Sequence, residues 1–351
     1  MHPVSKILIN WYNQNKRDLP WRNTNDPYRI WISEIILQQT RVNQGMDYYL
    51  KFIERFPEVS DIANASQDEL LRYWQGLGYY SRARNIYKAA HQIVSEFDGV
   101  FPDQHSDVLK LSGVGAYTAA AICSFAYNQP YAVVDGNVYR VLSRVFGIDT
   151  AIDLGVGVKI FAQIAQEILF VDNPGIHNQA IMEFGALQCV PSSPDCVSCP
   201  LQNECRAYST NRVSELPVKK QKTKVKERYF NYLFVRNNDK TFINQRLLAD
   251  IWQNLYEFPL IESNRLLSVD ELLVNDEFQN LFLGIETVQI EKISAQVKHI
   301  LSHRHIYAQF ITVKVSSVNE KLYEYIEIPC SDIDKYAVSR LIEQFVESED
   351  F

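Results

Sequence analysis

Glu34 lies inside Ile30-Trp31-Ile32-Ser33-Glu34-Ile35-Ile36-Leu37, a run apolar almost all round a helix, which buries the helix and the carboxylate with it. Its helical neighbours at three and four residues, Trp31, Ile30, Leu37 and Gln38, include no cation, so it is not half of an ordinary exposed pair. Two readings follow: a carboxylate bonded to a distant arginine, as buried charge usually demands, or a group kept for chemistry. Asp135 closes the apolar run Pro130-Tyr131-Ala132-Val133-Val134 and precedes the helical pattern Gly136 to Leu142. Its plainest role is a helix N-cap, and backbone donors that hold a capping aspartate ionised also suit it to face a developing cation.

Leu111-Ser112-Gly113-Val114-Gly115-Ala116-Tyr117 is a two-glycine turn opening an alanine-rich helix. Gly113 and Gly115 let the backbone approach a ligand, and the helix start offers free N–H groups and a positive dipole end to a phosphate; the same turn could simply join two helices. Gly76-Leu77-Gly78-Tyr79-Tyr80-Ser81-Arg82-Ala83-Arg84 sets tyrosines beside arginines, which suits either stacking on bases or packing on a core. Cys189, Cys196, Cys199 and Cys205 follow with six, two and five residues between them. Four thiolates this close point to a shared metal centre in a reducing compartment, with zinc and iron–sulfur both open on spacing alone. Cys123 and Cys330 stand apart and read as small core residues.

Helices must position these groups. Asp26-Pro27 caps a helix predicted over 28–43, with amphipathic helices over 47–56, 67–75 and 82–96 and little that resembles a strand in 1–210. Lys219 to Arg228 has no apolar period and reads as a linker. Beyond it, strand-like alternation over 228–236, 241–246, 307–315 and 323–328, with helices near 269–282 and 333–345, predicts an α+β domain. The 351 residues exceed one ordinary core. A net charge of −7 counts against nucleic-acid binding by the whole chain, but residues 218–228 hold 6 Lys and Arg against 1 Glu, so a local groove would carry it. No window holds the ~20 apolar residues of a membrane span, and a cytoplasmic, in a bacterium nucleoid-associated, protein is expected.

The hairpin, the aspartate and the cysteine loop, in that order, resemble the endonuclease III superfamily of helix-hairpin-helix DNA glycosylases. Trp31-Ile32-Ser33-Glu34 with Leu37-Gln38-Gln39-Thr40, and Gly76-Leu77-Gly78-Tyr79-Tyr80, resemble its MutY-type adenine glycosylases. The resemblance implies a mainly α helix-hairpin-helix glycosylase fold with an iron-sulfur cluster loop, plus a C-terminal α+β Nudix-like domain. Residues 1–217 would form the glycosylase region, with a six-helix lobe at about 27–133 and a cluster lobe from 1–26 plus 134–217. Residues 218–228 would be a basic linker and 229–351 the lesion-recognition domain. It further implies a monomeric, monofunctional enzyme of base excision repair, with a 4Fe-4S cluster on Cys189, Cys196, Cys199 and Cys205. Its substrate would be double-stranded DNA containing adenine opposite 8-oxoguanine or guanine.

By the same resemblance Glu34 is the general acid, Asp135 the carboxylate that stabilises or traps the sugar cation, and Tyr117 and Asn137 orient them. Two carboxylates in different settings would then divide acid and stabiliser roles, with burial raising the pKa of the first. Arg22 and Gln39 match residues near the adenine pocket and the opposite strand, and Tyr79 a wedge beside 8-oxoguanine. Gly113 and Gly115 match the phosphate-gripping turn, and Ser302 and His303 the lesion reader, although Leu301 departs from the family's phenylalanine. Trp252-Gln253-Asn254-Leu255-Tyr256-Glu257-Phe258-Pro259 echoes the Nudix-like reader, without the glutamate-rich box, so recognition without hydrolysis is expected. Bifunctional relatives carry a lysine just after the hairpin turn; here Tyr117 stands there, and no lysine occurs between Lys110 and Lys159. The rival readings are an endonuclease III-like lyase, a non-catalytic or redox-sensing iron–sulfur DNA-binding protein, and a Nudix hydrolase with a DNA-binding extension.

Overall fold

Prolines and capping side chains set where the helices begin. Pro3, Pro27 and Pro174 each occupy a first turn, behind caps whose side chains accept backbone N–H groups: His2, Asp26 and Asn173. The computed structural model describes residues 1–220 and 225–349. Its helices are α1 (Pro3–Asn15), α2 (Pro27–Leu37), α3 (Val42–Arg55), α4 (Val59–Asn64), α5 (Gln67–Tyr73), α6 (Ser81–Glu96), α7 (His105–Val108), α8 (Ala116–Tyr127), α9 (Gly136–Phe146), α10 (Gly155–Ile168), α11 (Pro174–Leu187) and α12 (Arg206–Ser209). No strand occurs among the described residues of 1–220, and none of the described helices is long and apolar enough to cross a membrane.

The helix expected over 28–43 ends earlier. Gln38 N–H turns back to Ile35 O, and Gln39 takes a left-handed φ of 57°. The apolar stripe stops at Leu37, and polar Gln38-Gln39-Thr40 forms the turn from which α3 starts. A left-handed non-glycine residue costs on the order of 1 kcal/mol and persists where the surrounding structure dictates it.

By contacts the chain divides into two units, Met1–Asn64 with Asn85–Gln221, and Ala65–Arg84 with Lys222–Phe351. The first unit has a core in which Leu8 of α1, Val138, Val141 and Leu142 of α9, Phe161 of α10 and Phe184 of α11 are all but fully buried. Of the basic run, residues 221–224 lie outside the described residues. Lys220 N–H donates to Asp153, and Lys226 already begins a strand, so the run is not linker throughout.

The second unit holds β1 (Lys226–Asn237), β2 (Lys240–Gln245), β3 (Tyr256–Glu257), β4 (Leu260–Ser263), β5 (Val288–Ile293), β6 (Val297–Ile300), β7 (Arg304–Val315) and β8 (Ile326–Pro329), with α13 (Val269–Leu273), α14 (Asp276–Leu281) and α15 (Arg340–Glu347). The sheet path is β3-β2-β1-β7-β5, with β4 on β1, β6 on β7 and β8 on β2. Its spine is the parallel pair β1 and β7, in register from Lys226↔Arg304 to Arg236↔Lys314, while the other strand pairs run antiparallel. Phe230 to Val235 is buried without interruption, because a central strand covered on both faces does not alternate. The helix expected over 269–282 is two, divided where Asn275 caps α14. That expected over 333–345 is a 3-10 turn, Cys330–Lys335, followed by α15 behind the Ser339 cap.

Residues 65–84 belong to this unit through polar contacts. Asp68 accepts from Tyr256 Oη at 2.8 Å and Gln245 Nε2 at 3.2 Å, Gln67 accepts from Asn254, Gln75 accepts from Val338 N–H, and Arg84 donates to Gln253 O.

Candidate active site

α2, α8 and the N-terminus of α9 bring three groups together in the first unit. Glu34 is 7% exposed, and its partner is not an arginine: Tyr117, in the first turn of α8, donates to Glu34 Oε2 at 2.7 Å. Burial pushes the Glu34 carboxyl up to about 7 and neighbouring Asp135 adds to the rise, while the Tyr117 hydrogen bond and Arg22 oppose it. Burial also drives the Tyr117 phenol well above its ordinary range, so it stays a proton donor.

Asp135 caps α9, accepting from Val138 N–H at 2.8 Å on Oδ1 and from Asn137 Nδ2 at 2.8 Å on Oδ2. Burial raises its pKa, and these hydrogen bonds pull it back; the cap therefore opposes desolvation without cancelling it. Asn137 is oriented in turn. Its Oδ1 accepts from Arg140 Nη2 at 2.9 Å, which leaves the amide nitrogen for Asp135, and Arg140 also donates to Gly185 O and Cys189 O. The backbone of α11 lies so close here that a Cβ on Gly185 would stand 2.6 Å from Asn137 Cβ.

Glu34, Tyr117, Asp135 and Asn137 line one cavity of about 940 Å³, together with Arg22 and Gln39. That volume admits a nucleobase with its sugar, as drug-sized ligand sites run to ~300–1,000 Å³. Further lining residues were not singled out from sequence, among them Arg17, Gln179 and Glu183. Glu183 carries the same signal as Glu34, an acid inside an apolar helix. Gln179 sits one turn before it and accepts from Tyr12 Oη at 2.7 Å.

In the hairpin, Gly113 has φ 76°, and a Cβ there would meet Asn85 Cβ at 2.5 Å, so only glycine fits. Ser112 N–H is held by Gln92 Oε1 at 2.8 Å, and Gly115 caps α8 without a side-chain bond, which leaves the first-turn N–H groups for a ligand. In the second unit Tyr79, 42% exposed at φ 48°, hydrogen-bonds Ser302, so the two expected readers of the opposite strand meet; His303 is exposed beside Ser302. The loop's arginines are not offered to phosphate. Arg82 is buried over Trp74 and the Tyr79 ring, and Arg84 is held by Gln253 O, so packing accounts for both.

Cys189, Cys196, Cys199 and Cys205 line a common apolar cavity with Val145, Phe184 and Leu201. Arg144 spans its wall, donating to Cys189 Sγ and to the carbonyls of Val190, Pro191 and Leu216. Among the described residues no three His, Cys, Asp or Glu side chains stand close enough to share a single ion.

A two-glycine hairpin packed beside buried carboxylates, with a sheet domain behind it in sequence, defines a class of base-excision repair enzyme. Residues 32–154 match the HhH-GPD superfamily base excision DNA repair protein model and residues 231–348 a NUDIX domain model. The chain is 35% identical over 320 residues to the adenine DNA glycosylase of Buchnera aphidicola subsp. Baizongia pistaciae, covering 90% of this chain and 87% of that one. It is 42% identical over 222 residues to that of Mus musculus, covering 60% and 43%. Among solved structures, a thermostable thymine-DNA glycosylase superposes on 59% of this chain and 95% of its own, at 29% identity and a TM-score of 0.55. The chain belongs to the adenine DNA glycosylase family and is a DNA N-glycosylase.

Proposed function

We propose that the chain excises adenine mispaired with 8-oxoguanine, or with guanine, from double-stranded DNA by hydrolysing the N-glycosidic bond, and leaves the strand intact. The observation that carries this is the Tyr117-held, buried Glu34 facing the same cavity as Asp135. An adenine flipped from the stack would lodge there. Tyr117 occupies Glu34 Oε2, so Oε1 is the oxygen that delivers the proton to adenine N7. The C1′–N9 bond then breaks, adenine leaves with the bonding pair, and the oxocarbenium-like sugar is stabilised or trapped by ionised Asp135, which Asn137 and the α9 N-terminus orient. Water completes the abasic product. No lysine occurs between Lys110 and Lys159 to form a Schiff base, and Tyr117, which fills that position, is engaged with Glu34.

Arg22 and Gln39 border the pocket, Gly113 and Gly115 would hold the phosphate, and Tyr79, Ser302 and His303 would meet the 8-oxoguanine strand. Four thiols around one apolar cavity, on the family's cysteine spacing, would hold a 4Fe-4S cluster on Cys189, Cys196, Cys199 and Cys205. Bound there, it would cross-link the loop 189–205, and Arg144 would hold that loop to α9.

The test is single-turnover cleavage of a duplex with adenine opposite 8-oxoguanine, against adenine opposite thymine, read with and without alkali. Adenine loss confined to the lesion pair, strand breaks only after alkali and abolition by Glu34→Gln are expected. Binding without adenine release would refute the catalytic assignment, and nicking without alkali the monofunctional one.

A further inference from the structure

Glu183 is the most heavily bonded acid in the first unit's cavity wall, and no step above uses it. Its side chain is 1% exposed and accepts five hydrogen bonds. Arg17 contributes Nε and backbone N to Oε1, each at 2.9 Å, and Nη2 to Oε2 at 2.6 Å. Arg22 contributes Nη1 to Oε1 at 2.9 Å and Nη2 to Oε2 at 2.7 Å, a two-pronged grip, and a second bond from Nη1 reaches Arg17 O. Two guanidinium groups share one carboxylate, and Arg22 is the less exposed, at 14% against 33%.

We propose that Glu183 is a positioning residue, which fixes the Arg22 guanidinium against the cavity wall and, by occupying it, denies Glu34 a cationic partner. The inference rests on reading Glu34 as the proton donor. The groups that bear most on Glu34 are Tyr117 from α8, Asp135 ahead of α9 and Arg22 from the turn before α2; Arg17, Arg41 and Arg140 also line the cavity, and Arg22 is the cation among them whose charge acts on Glu34. A guanidinium released into that pocket would favour the ionised Glu34 and remove the acid. Although burial opposes it, the bonds from Arg17 and Arg22 hold the Glu183 carboxyl at about 2, so the carboxylate stays ionised through neutral pH.

The experiment uses the full chain and the same duplex, with single-turnover rates from about pH 5.5 to 9 and duplex affinity measured in parallel. Glu183→Gln keeps the shape and loses the charge. It is expected to move the alkaline limb of the profile down by about one pH unit and to cut the rate at pH 8 about tenfold, with affinity changed less than about twofold. Glu183→Asp should return the limb to its wild-type position. Should Glu183→Gln fail to fold, Arg22→Gln gives the complementary reading, since removing the cation should move the limb up. An unmoved limb in whichever of these variants folds overturns the proposal. A wild-type enzyme that releases no adenine, or a Glu34→Gln variant as fast as wild type, would instead remove the underlying reading and this inference with it.

Discussion

At the scale of the residue, a single environment gives Glu34 its use and its cost. Folded, its carboxyl titrates at about 7; unfolded, near 4.5. The folded protein therefore keeps a proton that the unfolded chain gives up, and stability is lost as pH rises from about 4.5 through 7, by about 3 kcal/mol. Glu34→Gln removes that dependence and still accepts from Tyr117. Thermal denaturation should find the variant more stable than wild type at pH 8 and no more stable at pH 4.5, while its glycosylase rate falls by on the order of a hundredfold or more. An equal Tm difference at both pH values would mean that Glu34 is not strained by burial. This much was legible from sequence, because an acid with no cationic helical neighbour in an apolar run is a local signal. Glu183 carries the same local signal, but its role is not local. Its partners Arg17 and Arg22 lie more than 160 residues away, and only the fold brings them together.

At the scale of the element, α11 is the strut of the site. It carries Gln179 and Glu183 one turn apart on the cavity side, and Gly185 against Asn137. Gly185→Ala would place a methyl 2.6 Å from Asn137 Cβ and 3.0 Å from its carbonyl oxygen, forcing α11 and α9 apart. We expect a loss of about 1–3 kcal/mol in chemical denaturation, and a rate reduced further than that destabilisation explains, because Asn137 would no longer orient Asp135. A stable variant with a wild-type rate would show that the close approach has no functional role. Helix starts were readable from proline and cap residues, as at Asp26 and Asp135. The end of α2 was not, since nothing local in Gln38-Gln39-Thr40 forbids a helix; the left-handed Gln39 is imposed by the fold. Likewise β3 and β4 are too short for any period to announce them.

At the scale of the whole molecule, the chain passes from one unit to the other after residues 64, 84 and 221. The membership of 65–84 had no sequence signature, because it rests on pairs such as Asp68 with Tyr256, 188 residues apart. A fragment ending at residue 220 would keep this segment and lose its partners Gln245, Asn254, Tyr256 and Val338. Limited proteolysis should therefore cut the fragment within 65–84 while the full chain resists there, and equal resistance would mean that those bonds contribute nothing to order. A recombinant swap faces the same connectivity. Grafting another relative's sheet domain in place of 225–349 would join foreign strands to a native 65–84, so a working chimera must take two stretches of sequence from one parent, and neither can be inherited alone.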